Sequence, residues 1–481
     1  GAAGLSSAIE AATRGANVLL LEKTAQGGGN SAKASSGING AETTVQLEKG
    51  VADSIGLFEE DTDKAGQDLG DTLLVHKLAA ESKEAIRFLK DDIEIPLTDV
   101  IQLGGHSTPR THRLSTQAPI GFSLVKALKT KLQTIPNVRT EYSAEVLDLL
   151  YADSDGERTV HGVSYRNAAG EMISQSADSV VIATGGMAFD HSEDGIFAEF
   201  APELRGLATS SGPQADGAGI KLGRKAGAEL IHMDKIQIHP TGLVDLKDIG
   251  ASSKILGPEA LRGVGGLLVL KNGQRFVNEL ARRGHVTQVI REKADELEPL
   301  STGREQKSAF IMLNAVVCTI YCNILCLEFN SFLLMQAVEA FSEKMFGFYV
   351  GRGIFRKYSN AMEMCTAEGI TCDQLERTFE SYAQLTEGTA DEFGKTHFPI
   401  RFKSSEEIWV ANITPVIHYT MGGMKVSSFP SKFSTTTSTE IKGLYAAGEC
   451  TGGVHGGDRL AGNSLLECVV FGRTAGVSAV S

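Results

Sequence analysis

The sequence predicts an α/β fold built on a doubly wound parallel sheet, with a smaller α+β domain inserted into it. Two observations predict it. Short apolar strands run into glycine-rich turns at both ends of the chain, and a long central stretch of mixed periodicity separates them. The length agrees, because 481 residues with 42% hydrophobic content can bury a large core and divide into two or more domains.

The elements follow in order. The run Gly4 to Thr13, rich in Ala, Ser and Leu, reads as a helix broken by Gly15, and Ala16-Asn-Val-Leu-Leu-Leu21 reads as a buried strand closed by Glu22. From about 72 to 133 the period is helical, through Leu74, Leu78, Ala79, Ala85, Ile86 and Leu89, with a loop near Gly104-Gly105-His106. Residues 141 to 184 change to strands, separated by turns at Ser154-Asp155-Gly156 and at Asn167 to Gly170, and ending in the buried run Ser179-Val-Val-Ile-Ala-Thr184. Mixed helical and strand patterns from 234 to 418 mark the inserted domain. Gly443-Leu-Tyr-Ala-Ala447 and a helix from about Ser464 return the chain to the first. The expected boundaries are 1–233 and 419–481 for the larger domain and 234–418 for the smaller. Within the latter, Ala315 to Met335 is almost continuously apolar and has neither period. Asn323, Glu328 and Asn330 interrupt it and argue against a membrane span, so it reads as an insertion between Phe310-Ile-Met-Leu-Asn314, a strand, and Gln336-Ala-Val-Glu-Ala-Phe341, a helix start.

Composition narrows the function. A formal charge of −13, with no Lys/Arg cluster, excludes a nucleic-acid surface. The 7 cysteines show neither pairing nor metal-ligand spacing, and no CxxCH is present, which excludes covalent c-type haem and points to a reducing compartment. The 53 glycines cluster beside small residues, where backbone must approach a bound group closely.

Gly1 and Gly4 have the spacing of the last two glycines of GxGxxG, at which a helix start aims backbone N–H groups at a pyrophosphate. Glu22 ends the following strand, where an acidic residue accepts the ribose hydroxyls. Small residues after a buried strand recur at Ala183-Thr184-Gly185-Gly186 and at Asp216-Gly217. Together these read as a Rossmann-like nucleotide-binding domain whose first strand and first glycine are expected ahead of Gly1.

With Gly27-Gly-Gly-Asn-Ser31, Ala34-Ser-Ser-Gly-Ile38, Gly448-Glu449 and Asn463-Ser-Leu465 added, the chain resembles the fumarate reductase and succinate dehydrogenase flavoprotein family over nearly its whole length, and specifically its soluble fumarate reductase branch. The resemblance implies FAD, contacted by Gly1, Gly4, Glu22, Lys23, Gly29, Asn30, Ser31, Ser36, Gly37, Val146, Ala183, Thr184, Gly185, Asp216, Glu449, Asn463, Ser464 and Leu465. Asn30 stands where membrane-bound relatives carry the His that links FAD covalently, which implies a noncovalent flavin of lower potential and hence reduction of fumarate.

A dicarboxylate leaving water needs charge-assisted donors at both ends. Candidates are His239 in Gln237-Ile-His-Pro-Thr241, Arg283 after Arg275-Phe-Val-Asn-Glu279, His418 in His418-Tyr-Thr-Met-Gly-Gly423, and Arg459 in Gly452-Gly-Val-His-Gly-Gly-Asp-Arg459. By the resemblance, His239, His418 and Arg459 hold the carboxylates and Arg283 gives a proton to carbon, resupplied through Glu259 and Arg262 in Pro258-Glu-Ala-Leu-Arg-Gly263. Pro258 departs from the family, whose bacterial members have a Thr there. An L-aspartate oxidase-like enzyme, or an inactive truncated remnant, is the alternative reading. NADH and reduced flavin both remain open as electron donor. No metal, nucleic-acid or membrane partner is expected, and the compartment is expected to be cytoplasmic or mitochondrial.

Overall fold

The computed structural model describes residues 1–114, 120–154, 157–263, 265–297, 306–314, 346–427 and 440–481. The segment 315–335 lies outside them. The chain forms two compact units, one of residues 1–202, 211–237 and 419–481, the other of residues 203–210 and 238–418.

In the first unit the helix Ala2–Thr13 leads to the strand Val18–Glu22, which pairs in parallel with Val138–Tyr142. Leu444–Ala446 pairs in parallel with Val180–Ile182, so the last part of the chain joins a strand from its middle. The parallel strands and flanking helices are those of a Rossmann-like α/β domain. The closing helix Asn463–Ser478 packs on Ala2–Thr13 without side chains between the backbones at two places. A β-carbon on Gly472 would stand 2.6 Å from the carbonyl oxygen of Ala3, and one on Gly476 would stand 2.5 Å from that of Ser7. Two glycines four residues apart thus line one helix face, and the first helix settles into it.

The helical reading of 72–133 holds only in part. Helices span Thr72–Ala80, Ser82–Arg87 and Ile120–Gln133, but Leu97–Ile101 and Thr111–Leu114 are antiparallel strands that continue onto Ile38–Asn39. The intervening strands are short, and only Leu97 and Val100 of Leu97–Ile101 are buried, so they carry little periodic signal beside the flanking helices. The strands of 141–184 form an antiparallel meander, Glu145–Ser154, Glu157–Arg166 and Met172–Ser176.

The second unit is organised on a mixed sheet with the strand order Ile255–Leu256, Ile236–Leu243, Ile408–Thr420, Lys307–Asn314, Leu267–Val269. Its core is dense in branched and aromatic side chains, including Leu267, Leu268, Ile311, Ile354, Phe355 and Ile413. Each unit carries some of the residues that the sequence singles out.

Candidate active site

At the nucleotide end the backbone is brought close by small residues. Ala2 N–H, in the first turn of the helix Ala2–Thr13, donates to Ser31 Oγ at 3.1 Å. A β-carbon on Gly1 would lie 3.0 Å from Ser31 Oγ, and one on Gly4 would lie 3.3 Å from Ala183 Cβ. Glycine at both positions lets the helix start sit close to both loops without displacing them. Gly27, Gly28 and Gly29 have φ of 65°, 106° and 54°, a left-handed run that side-chain-bearing residues resist, and it turns the chain from Glu22 toward Asn30. Glu22 Oε1 accepts from the N–H and hydroxyl of Thr24, both at 2.8 Å, and Lys23 pairs with Asp216. This helix N-terminus with its glycine-lined surround fits a dinucleotide pyrophosphate.

The remaining predicted cofactor residues divide by environment. Asn30 Oδ1 accepts from Gly212 N–H at 3.0 Å and from Gln214 Nε2 at 2.9 Å. Asn463 is buried and its Oδ1 accepts from Asn39 Nδ2 at 2.7 Å, which ties the start of the closing helix to the strand Ile38–Asn39. Leu465 is buried and Ser464 half-buried on the same turn, Gly37 is buried, Ser36 is exposed, and Val146 is half-buried. Thr184 packs on the helix Ala218–Lys225, whose Gly219 has no room for a β-carbon, and Gly185 follows with φ of 81°. Glu449 Oε1 accepts from Thr420 N–H at 3.1 Å and from its hydroxyl at 3.2 Å. Desolvation pushes the Glu449 carboxyl up to about 7 despite the Thr420 bond.

In the second unit His239 and His418 stand on neighbouring strands, with ring centroids 5.4 Å apart and planes at 64°. Each ring is set through Nδ1. Thr241 approaches that atom of His239 with its N–H at 3.3 Å and its hydroxyl at 3.0 Å, and Ser210 Oγ lies 2.8 Å from that of His418. Arg283 opens the helix Arg283–Lys293 and donates to Glu259 Oε2 from Nε at 2.8 Å and from Nη2 at 2.6 Å. Burial would raise the Glu259 carboxyl, but the charges of Arg283 and Arg262 and the Arg283 hydrogen bonds hold it below the usual range.

Arg262 is 1% exposed and donates from Nη1 to the Glu279 carbonyl at 2.5 Å. Its Nε and Nη2 have no hydrogen-bond partner among the described residues. Burial pulls its guanidinium below the ordinary value, opposed by Glu259. The Glu279 side chain in turn accepts from Arg275 at two points, both 2.9 Å, and from Lys395 Nζ at 2.9 Å. A buried set of charges therefore fixes the backbone that holds Arg262. Sequence reasoning did not single out Glu279, although it closes the motif Arg275 to Glu279.

Arg459 belongs to the first unit. Its Nη2 donates to Gln237 Oε1 at 3.1 Å and its Nη1 to the Leu460 carbonyl at 3.3 Å, while its guanidinium carbon lies 4.4 Å from the Tyr419 ring centroid. Gln237 and Tyr419 also escape sequence reasoning. Each sits beside a residue that it names, Gln237 in the motif of His239 and Tyr419 next to His418.

Comparison with known proteins shows the family to which the chain belongs. The model of the FAD binding domain family matches residues 1–465. Fumarate reductase 1 of Saccharomyces cerevisiae is 37% identical over 99% of this chain and 96% of its own length. The fumarate reductase of Schizosaccharomyces pombe is 35% identical over 100% of this chain and 88% of its own. Among solved structures, the open conformation of a flavocytochrome c3 fumarate reductase superposes with a TM-score of 0.79, at 29% identity, covering 100% of this chain and 76% of that one. The class is that of the FAD-dependent oxidoreductases. The chain belongs to the FAD binding domain family, in its fumarate reductase branch. Among the described residues, no helix is long and apolar enough to cross a membrane.

Proposed function

We propose that this protein reduces fumarate to succinate with noncovalent FAD, and that a reduced flavin or NADH supplies the electrons. The observation that carries the reading is the pairing of two imidazoles, His239 and His418, in the same unit as an arginine–carboxylate pair, Arg283 and Glu259. Two neutral or cationic donors side by side suit one carboxylate, and an arginine backed by a carboxylate suits proton delivery.

Gly1, Gly4, Gly29 and Asn30 are among the residues that would hold FAD, which when bound would supply hydride chemistry at an alkene carbon. His239 and His418 donate hydrogen bonds to a substrate carboxylate, and Arg459 meets a carboxylate with its planar fork, so that electron density is drawn toward the oxygens and away from the carbon that accepts hydride. Arg283 gives a proton to the neighbouring carbon. An arginine is protonated in water at all ordinary pH values, so its loss of a proton must be made good at once. Glu259 accepts from Arg283 at both contacts, which supports the Glu259-to-Arg283 step of the relay, and Arg262 acts on Glu259 through its charge without a hydrogen bond to it. Asn30 supports the noncovalent assignment, because an amide is a poor nucleophile for the flavin methyl group and its oxygen is already engaged by Gly212 and Gln214.

Anaerobic oxidation of reduced viologen with fumarate tests the activity, with iminoaspartate and urocanate as competing acceptors. Faster turnover with iminoaspartate would make the enzyme an aspartate oxidase relative, and equal inertness to all three would make it a remnant.

A further inference from the structure

Arg459 is carried on a buried, glycine-rich loop, in which Gly453, Gly456 and Gly462 have φ of 111°, 53° and 85°. A guanidinium that must meet a planar carboxylate edge-on needs its plane held, and the edge contacts of Arg459, to Gln237 Oε1 at 3.1 Å and to the Leu460 carbonyl at 3.3 Å, do not support its face. Support for the face comes from outside the loop. Tyr419 lies at the end of the 13-residue strand Ile408–Thr420, and its ring face lies under the Arg459 guanidinium at 4.4 Å.

The ring itself is locked. Tyr419 Oη donates to Glu467 Oε2 at 2.5 Å, and His455 Nε2 lies 3.0 Å from the same oxygen. The His455 ring meets Tyr419 edge-on, with centroids 5.6 Å apart. Glu467 sits within the 16-residue helix Asn463–Ser478. His455 and Glu467 are 2% and 1% exposed, so a carboxylate has been taken out of water where no substrate role requires one.

We propose that Tyr419 is a positioning residue that sets the plane of Arg459, and that the buried Glu467–His455 pair exists to lock its ring. Strand and helix thus brace the guanidinium from outside the loop that carries it. The inference rests on the reading that Arg459 holds a substrate carboxylate.

Steady-state fumarate kinetics of the flavin-loaded enzyme, with flavin content measured by absorbance, test it. Tyr419→Leu raises the fumarate KM about tenfold while kcat falls less than about threefold, the scale of removing a desolvated cation–π interaction that serves mainly binding. Tyr419→Phe and Glu467→Gln keep the ring but free its rotation, and each raises KM about threefold. In an Arg459→Lys background Tyr419→Leu adds nothing further. A Tyr419→Leu enzyme that holds full flavin and keeps the parent KM overturns the proposal, as do effects that multiply in the double variant. If Arg459→Lys alone leaves KM unchanged, the carboxylate reading fails, and the platform is then decided without substrate. The Arg459 Nε–H resonance, assigned by its absence in Arg459→Lys, should be sharp in the parent and broadened by exchange in Tyr419→Leu; an identical resonance in both overturns the platform.

Discussion

Arg283 binds Glu259 through two of its nitrogens but through only one carboxylate oxygen, with Nε at 2.8 Å and Nη2 at 2.6 Å from Oε2. A pair built only for stability would more usually be two-on-two, as Arg275 and Glu279 are in the same unit. The one-oxygen arrangement keeps the second oxygen of Glu259 out of the Arg283 contact, which suits a residue that passes protons on.

Glu259→Gln should therefore keep flavin and fold but lower kcat roughly 10²-fold, the lower end of what one proton-transfer group contributes, with KM little changed. Arg283→Ala should fall further, by about 10³-fold or more. Stopped-flow turnover of both variants checks the order, and a Glu259→Gln enzyme with full turnover would leave the pair as a structural contact.

The flavin should leave on denaturation. On the proposed noncovalent binding, acid precipitation of the holoprotein should release yellow flavin to the supernatant. Colour retained in the pellet would contradict it.

Arg110 gives a prediction for acid stability. It is 0% exposed and pairs with Asp53 at 2.9 Å and Asp61 at 2.5 Å. Burial works to raise the Asp61 carboxyl, but Ser107 N–H, the Ser107 hydroxyl and Arg110 together hold it below the usual range. The folded state then binds fewer protons than the unfolded chain near the ordinary aspartate value. Its stabilisation is present above about pH 4 and is lost as pH falls further, through the folded value. Arg110→Met should cost about 3–5 kcal/mol at neutral pH, because two carboxylates lose their buried partner. Denaturant midpoints measured from about pH 7 to about pH 3 should fall steeply for the parent and less steeply for Asp61→Asn.

Two glycines should respond in opposite directions. Gly476→Ala places a methyl group 2.5 Å from the Ser7 carbonyl and should destabilise by about 1–3 kcal/mol. Gly56 lies in the helix Ile55–Ala65 with nothing within 4 Å of a β-carbon, and Gly56→Ala should stabilise by about 0.5–1 kcal/mol. Urea unfolding of the two variants separates them.

What the sequence made legible was local. The helix Ala2–Thr13, the strand Val18–Glu22 and the closing helix Asn463–Ser478 could be read because each is a run of small or apolar residues next to a glycine break or turn. The strands Leu97–Ile101 and Thr111–Leu114 are hidden between helices, since they are defined by pairing with each other and with Ile38–Asn39 rather than by a period of their own. The supports of the candidate site were illegible for a related reason. Tyr419 and Glu467 are 48 residues apart in the chain, and only folding brings the hydroxyl to the carboxylate. Lys395 reaches Glu279 across 116 residues, and no spacing rule connects them. Motifs mark the groups aimed at a ligand, whereas the groups that hold them steady carry no motif.

The most direct test of the proposed reaction is a single turnover. Holoenzyme reduced under anaerobic conditions is mixed with one equivalent of fumarate, and the return of oxidised flavin absorbance is followed together with the product formed. Rapid reoxidation is expected, with succinate formed in equal amount, and a rate lowered about 10³-fold in Arg283→Ala while reduced flavin stays bound. Reduced flavin that persists in the presence of fumarate, or an Arg283→Ala enzyme that reoxidises as fast as the parent, would contradict it.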